Sequence, residues 1–136
     1  MGKLGEHLAC QLLRKIAPRD WEFRWPSGTP YYDILAIGPN CKIRLEVKFS
    51  TLWRTGVYKF QQLRDQPYDL LICLGLSPQE AHLWVFSKNE AFHYATPQHG
   101  GKEGEDTYWL SFPPGELQEY GGKLEAGIER LIQYFK

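Results

Sequence analysis

The sequence predicts an α/β fold: a central mixed β-sheet flanked by an N-terminal and a C-terminal helix. Three observations predict it. An amphipathic stripe opens the chain, two alternating strands meet around a turn near Pro39, and a second amphipathic stripe closes the chain. With 136 residues and 43% hydrophobic content, residues 1–136 are expected to form one domain with one core.

The elements follow in order. Leu4, Leu8, Leu12 and Ile16, widened by Ala9 and Leu13, predict a helix over 2–17 that Pro18 ends. Trp21 to Trp25 alternates as a strand, and Pro26 to Pro30 has loop composition. Tyr32 to Ile37 and Lys42 to Phe49 form a hairpin around Gly38-Pro39-Asn40-Cys41. A turn centred between Pro39 and Asn40 sets Ile37 against Lys42, Leu35 against Arg44, and Asp33 against Glu46. Ser50 to Gln66 reads as a loop leading into a short helix over 61–65. Tyr68 to Leu76 is an apolar run that fits a buried central strand. His82 to Phe86 reads as a strand, 88–92 as a short helix, and 95–106 as a polar, Gly-rich connection. Thr107 to Phe112 is a late strand stopped by Pro113-Pro114. Leu124, Ile128, Leu131, Ile132 and Phe135 mark the closing helix.

Composition excludes several classes. No apolar run approaches the roughly 20 residues that span a bilayer, so no membrane is expected. Residues Met1 to Glu6 contain no signal-peptide core. Cys10, Cys41 and Cys73 are widely spaced, which argues against a zinc knuckle or a disulfide framework and fits a cytoplasmic protein. His93 and His99, without Cys partners, are poor zinc ligands. The net charge is zero but unevenly spread. Residues 1–64 hold 11 Lys and Arg against 5 Asp and Glu, and residues 65–136 hold 5 against 11. A basic, polyanion-binding face on a neutral protein is therefore permitted.

The chemistry concentrates at Glu46-Val47-Lys48. Residues two apart on a strand share a face, so Glu46 and Lys48 point together while Ile43, Leu45 and Val47 point the other way. A charged face of this kind borders a cleft or solvent. A Glu-x-Lys triplet alone is close to what this composition supplies by chance; Asp33 across the hairpin raises its significance. Asp33 and Glu46, with the Val47 backbone carbonyl, offer oxygen ligands to Mg²⁺, for which Mn²⁺ can substitute. Such an ion polarises a phosphodiester and activates water. Lys48 would orient that water and offset the growing negative charge. Glu6 lies on the first helix, about 20° from Leu13 on the helical wheel at the margin of the apolar stripe, and would assist. DNA-contact candidates are Arg54, Lys59 and Arg64 for phosphates, Gln61 and Gln62 beside the site, and Gln98, His99 and Lys102 in the long connection. Trp53 is a candidate for stacking on a base.

Glu6, Asp33 and Glu46-Val47-Lys48, in this order, resemble the PD-(D/E)xK, or restriction-endonuclease-like, nuclease superfamily over residues 2–76. Tyr32 stands where that superfamily usually has proline. Small type II restriction enzymes and some homing endonucleases look similar. So do Holliday-junction resolvases, whose loop before the acid Ser27-Gly28 would match. The resemblance implies a restriction-endonuclease-like core and a Mg²⁺-dependent DNA endonuclease. Double-strand cleavage would then require a homodimer or higher oligomer. The alternatives are a Holliday-junction resolvase-like nuclease, which zero net charge speaks against, a catalytically inert nucleic-acid-binding module, and a structural α/β domain.

Overall fold

The computed structural model describes residues 2–25, 32–98 and 107–136. Helix α1 (Gly2–Ile16) forms on the expected stripe, with Ala9, Cys10 and Leu13 buried. Its last bond runs from the Ala17 N–H to the Leu13 carbonyl at 3.0 Å, and Pro18 bars a further turn. In chain order the strands are β1 (Glu22–Arg24), β2 (Ile34–Ile37), β3 (Lys42–Thr51), β4 (Tyr58–Leu63), β5 (Leu70–Leu76), β6 (Ala81–Ser87), β7 (Thr96–Gln98), β8 (Thr107–Phe112) and β9 (Gly121–Lys123). Helix α2 (Lys88–Tyr94) follows β6 and α3 (Leu124–Gln133) closes the chain. No helix among the described residues is long and apolar enough to cross a membrane.

The main sheet has six strands in the order β1-β2-β3-β5-β6-β9. β3 and β5 are parallel and the other pairs antiparallel, so the sheet is mixed. β2 and β3 pair in the expected register, Ile34 with Leu45, Leu35 with Arg44 and Ile37 with Lys42. β5 is buried from Leu70 to Gly75 and lies inside the sheet, as its apolar run predicts.

Each face of this sheet carries its own core. Leu45, Val47, Ile72, Leu74, Leu83 and Val85 pack against Ala9 and Leu13 of α1 and Leu131 of α3. The two terminal helices therefore share one face. Leu71, Cys73, Trp84 and Phe86 point the other way, onto Tyr58, Phe60 and Leu63 of β4 and Leu110 and Phe112 of β8. These belong to a second sheet, ordered β4-β8-β7, that the sequence did not predict.

The expected helix over 61–65 is strand instead. Tyr58 and Phe60 alternate inward, then Leu63 does, three residues later. A β-bulge shifts the register against β8 between Phe60 and Leu63, with Gln62 at φ +59°. The extra residue breaks the period of two and leaves Gln, Leu and Arg looking helical. The connection over 95–106 contributes β7, and residues 99–106 lie outside the described ones. The 88–92 expectation holds in α2, where Ser87 and Glu90 cap each other's backbone N–H groups. Glu90 also receives Arg130 of α3 at 2.9 Å, and Arg130 Nε donates to the Val85 carbonyl at 2.7 Å.

α1 meets β3 at Gly5. A Cβ on Gly5 would stand 2.6 Å from Phe49 Cβ, so only glycine allows this approach. Gly5→Val gains a few tenths of a kcal/mol in helix propensity and loses about 1–3 kcal/mol to overpacking. The clash dominates, and urea unfolding is expected to show a net loss of stability.

Candidate active site

β3 positions the site because it serves both faces. Leu45 and Val47 are buried against the helices, so Glu46 and Lys48 point toward the second sheet, half-buried. The parallel register sets Glu46 beside Leu71 and Lys48 beside Cys73. Burial pushes the Cys73 thiol well above its ordinary range, only partly offset by the charge of Lys48. Cys73 is thus a small apolar neighbour and not a thiolate ligand.

Asp33 reaches this triplet by a different route from the expected one. The β2–β3 ladder ends at Ile34 and Leu45, and the Asp33 N–H also donates to the Leu45 carbonyl, at 2.9 Å. Asp33 and Ile34 therefore stand together against Leu45, as in a bulge, and Asp33 is not directly opposite Glu46. Freed from the ladder, its carboxylate Oδ2 accepts the Val47 N–H at 2.8 Å. The acid is fastened to the middle residue of Glu46-Val47-Lys48. The Val47 carbonyl lies on the same edge of β3 as that N–H.

Arg44 and Asp69 clasp the strands that carry these groups. Asp69 Oδ2 accepts the Arg44 N–H at 2.7 Å and Arg44 Nε at 3.2 Å, while Nη2 reaches Oδ1 at 3.0 Å. In return the Asp69 N–H donates to the Arg44 carbonyl at 2.8 Å, and the Asp69 carbonyl accepts the Lys88 N–H at 3.2 Å. Burial pushes the Asp69 carboxyl up, but the Arg44 hydrogen bonds and charge outweigh this and hold it below the usual carboxylate range.

Tyr68, just before this clasp, is 2% exposed and packs with Leu71 and Cys73. Its hydroxyl has no hydrogen-bond partner among the described residues. Burial, and after it the negative charge of Glu46, pushes the phenol far above its ordinary range, so it keeps its proton. A buried, unpaired hydroxyl costs about 1–3 kcal/mol and calls for an explanation. Neither Tyr68 nor the Arg44–Asp69 clasp was foreseen. The available signal was a tyrosine and an aspartate opening the most apolar run of the chain.

The expected DNA-contact residues separate into groups. Arg54 is exposed in the turn between β3 and β4. Lys59 lies between two indoles, its Nζ 4.1 Å from the Trp53 ring and 4.9 Å from the Trp109 ring. Trp53 is 43% exposed, as a stacking role requires. Gln61 and Gln62 are exposed at the bulge, and Gln61 borders a small groove with Thr96, Pro97 and Trp109. Arg64 is exposed on the segment leading from β4 to Tyr68. The side chains of Glu6 and Gln98 lie outside the described residues, as do His99 and Lys102 altogether. Among the described residues no group of three or more His, Cys, Asp or Glu is placed to hold a metal.

No protein-family model matches the chain, and no curated relative does. Among solved structures the fold is similar to that of a bacterial homing endonuclease, I-Ssp6803I, with a TM-score of 0.61. The alignment covers 98% of this chain and 90% of that one at 15% identity, so the likeness is one of fold.

The clasp generates a pH dependence. The folded Asp69 carboxyl lies below its unfolded value of about 4, so its stabilisation is present above that pH and lost as pH falls through the folded value. Arg44 and Asp69 are about two-fifths exposed, and solvent screening limits the contribution to about 1 kcal/mol. Asp69→Asn is expected to unfold in less urea than the parent at pH 7, with the gap narrowing as pH falls below the unfolded carboxylate value of about 4.

Proposed function

We propose that the chain is a single metal-dependent DNA endonuclease domain of the PD-(D/E)xK kind. The observation that carries this reading is the Asp33 carboxylate held on the Val47 N–H at 2.8 Å, within the Glu46-Val47-Lys48 triplet. Asp33 is fastened to the backbone of the strand that carries Glu46 and Lys48, which are half-buried on its face toward the second sheet. That a homing endonuclease has this fold supports the reading.

The residues fit a hard cation. Asp33, Glu46 and the Val47 carbonyl are oxygen donors, and the nearby thiol is buried and protonated. This donor set suits Mg²⁺, or Mn²⁺ in its place, ahead of zinc. When bound, the ion supplies Lewis acidity on a phosphodiester oxygen and acidifies a water. Asp33 is set for its part by having one oxygen committed to Val47 and the other left to bind. Glu46 supplies the second carboxylate from the face shared with Lys48. The Lys48 ammonium orients the attacking water and offsets the charge that grows on phosphorus. Glu6 assists from α1, whose backbone docks on β3 at Gly5.

The DNA would run across the outer side of the second sheet toward this site. Trp53 offers a stacking plane, Lys59 and Arg54 offer phosphate contacts, and Gln61 and Gln62 project from the bulge. A domain of this size holds one catalytic site, so cutting both strands takes two copies related by a two-fold axis.

Plasmid cleavage with Mg²⁺ tests the reading. Asp33→Asn keeps an acceptor for the Val47 N–H and removes the charge, and Lys48→Ala removes the cation. Each is expected to cut at least about a hundredfold more slowly, as loss of an electrostatic catalytic group does; full activity in both variants overturns the assignment. Lys59→Ala is expected to weaken binding across DNA sequences alike and to reduce the salt slope by about 1, measured by anisotropy against salt concentration.

A further inference from the structure

The bulge of β4 is costly for what it buries. Tyr58, Phe60 and Leu63 face the main sheet, and Gln61 and Gln62 between them are both exposed. A strand with one glutamine fewer would bury the same three side chains in plain alternation and need no bulge. Instead the second amide is kept, and Gln62 takes φ +59°, a left-handed conformation that is unfavourable for any residue but glycine. What the bulge achieves is two adjacent amides on the outer face of the second sheet. The ladder pairs Phe60 with Leu110 and Leu63 with Tyr108, so both glutamines stand against Trp109. Trp109 pairs in turn with Thr96 of β7. A row of two amides, an indole and a hydroxyl thus crosses three strands, and Gln61, Trp109, Thr96 and Pro97 line an open groove of about 220 Å³.

Neither amide side chain has a hydrogen-bond partner among the described residues. The surroundings are basic: residues 52–64, 96–98 and 107–112 contain Arg54, Lys59 and Arg64 and no Asp or Glu. Lys59 stands on the same outer face, its Nζ 4.9 Å from the Trp109 ring. A carboxamide offers a donor and an acceptor side by side, the complement of the N7 and N6 amino edge of adenine. The major groove, where that edge is presented, admits a two-stranded ribbon such as β4–β8.

We infer that this row is the sequence-reading element of the nuclease: the outer face of β4 and β8 enters the major groove, where Gln61 and Gln62 each bond the N6 and N7 edge of an adenine, at neighbouring base pairs. Trp109 and the Thr96 methyl present apolar surface to the thymine methyls of those pairs, while Arg54 and Lys59 contact phosphates. The inference rests on the DNA-binding half of the nuclease reading above.

Selection by the full chain from a pool of randomised DNA duplexes, without divalent ions, is expected to enrich adenine at two neighbouring positions. Gln61→Ala and Gln62→Gly, the latter placing glycine where the bulge favours it, are expected to melt close to the parent. Each is expected to lose about tenfold in preference at one of those positions. Replacing adenine N7 by C–H at the selected positions is expected to weaken the parent about tenfold and to leave the matching variant unaffected, which a merely structural role would not produce. A consensus without neighbouring adenines, or one unchanged in both variants, overturns the inference. So does a variant that melts well below the parent, since the glutamines then hold the sheet together. A parent that selects such sites but does not cut plasmid with Mg²⁺ overturns the nuclease reading and leaves the row as a DNA reader. A parent that cuts, with variants of unchanged preference, does the reverse. A parent that neither binds DNA nor cuts it overturns both.

Discussion

The structure depends on the parity of one strand. β3 lies inside a six-stranded sheet with a hydrophobic layer on each side, and successive residues must serve opposite layers. Leu45 and Val47 satisfy the helix side. Glu46 and Lys48 then have to face the second sheet, where the core would otherwise continue. A slip of one residue would bury two charges under α1 and expose two aliphatic side chains. The register is held from both edges, by the antiparallel ladder with β2 and the parallel ladder with β5. The Arg44–Asp69 clasp closes the second of these where β5 begins.

Placing charge between two layers is costly, and the surroundings offset that cost. Glu46 and Lys48 are half-buried and not sealed, while Val47 between them is in the core. Asp33 gives up a regular place in the ladder and becomes a cap on the Val47 N–H. The irregular points of the main sheet and the bulge of β4 contain a large share of the residues with candidate roles. Regular pairing supplies the scaffold, and departures from it supply the groups free to bind something.

Much of the main sheet could be read from the sequence. The β2–β3 register followed from the turn at Pro39-Asn40, and β5 from its apolar run. Both depend on neighbours close in sequence or on a strong pattern. The second sheet could not be read this way. Only β8 was legible, as the expected strand over 107–112; β7 is short and contains a proline, and β4 carries an extra residue that turns a period of two into spacings of two and three. Asp33 shows the same limit on a smaller scale. Counting from the turn put it opposite Glu46, but a local bulge before Ile34 moves its backbone onto Leu45 and its side chain onto Val47. Tyr68 was out of reach because the lack of a partner for its hydroxyl among the described residues shows only in three-dimensional packing.

The parallel pairing of β3 and β5 bears on how the molecule assembles. Parallel neighbours need a long crossover, and here the crossover over 52–69 builds no helix: it runs out through β4 and returns at Tyr68. β4 finds its partner in β8, which lies far along the chain. The centre of the main sheet and its covering layer are therefore tied by contacts of large sequence separation, the kind that slows folding because loop closure precedes any gain from pairing. The side of β3 bearing Glu46 and Lys48 is the one that this late-closing layer covers. Competence at that face should then arise in the last stage of folding, and a chain with only its helix-side core in place would have a scaffold without a finished site.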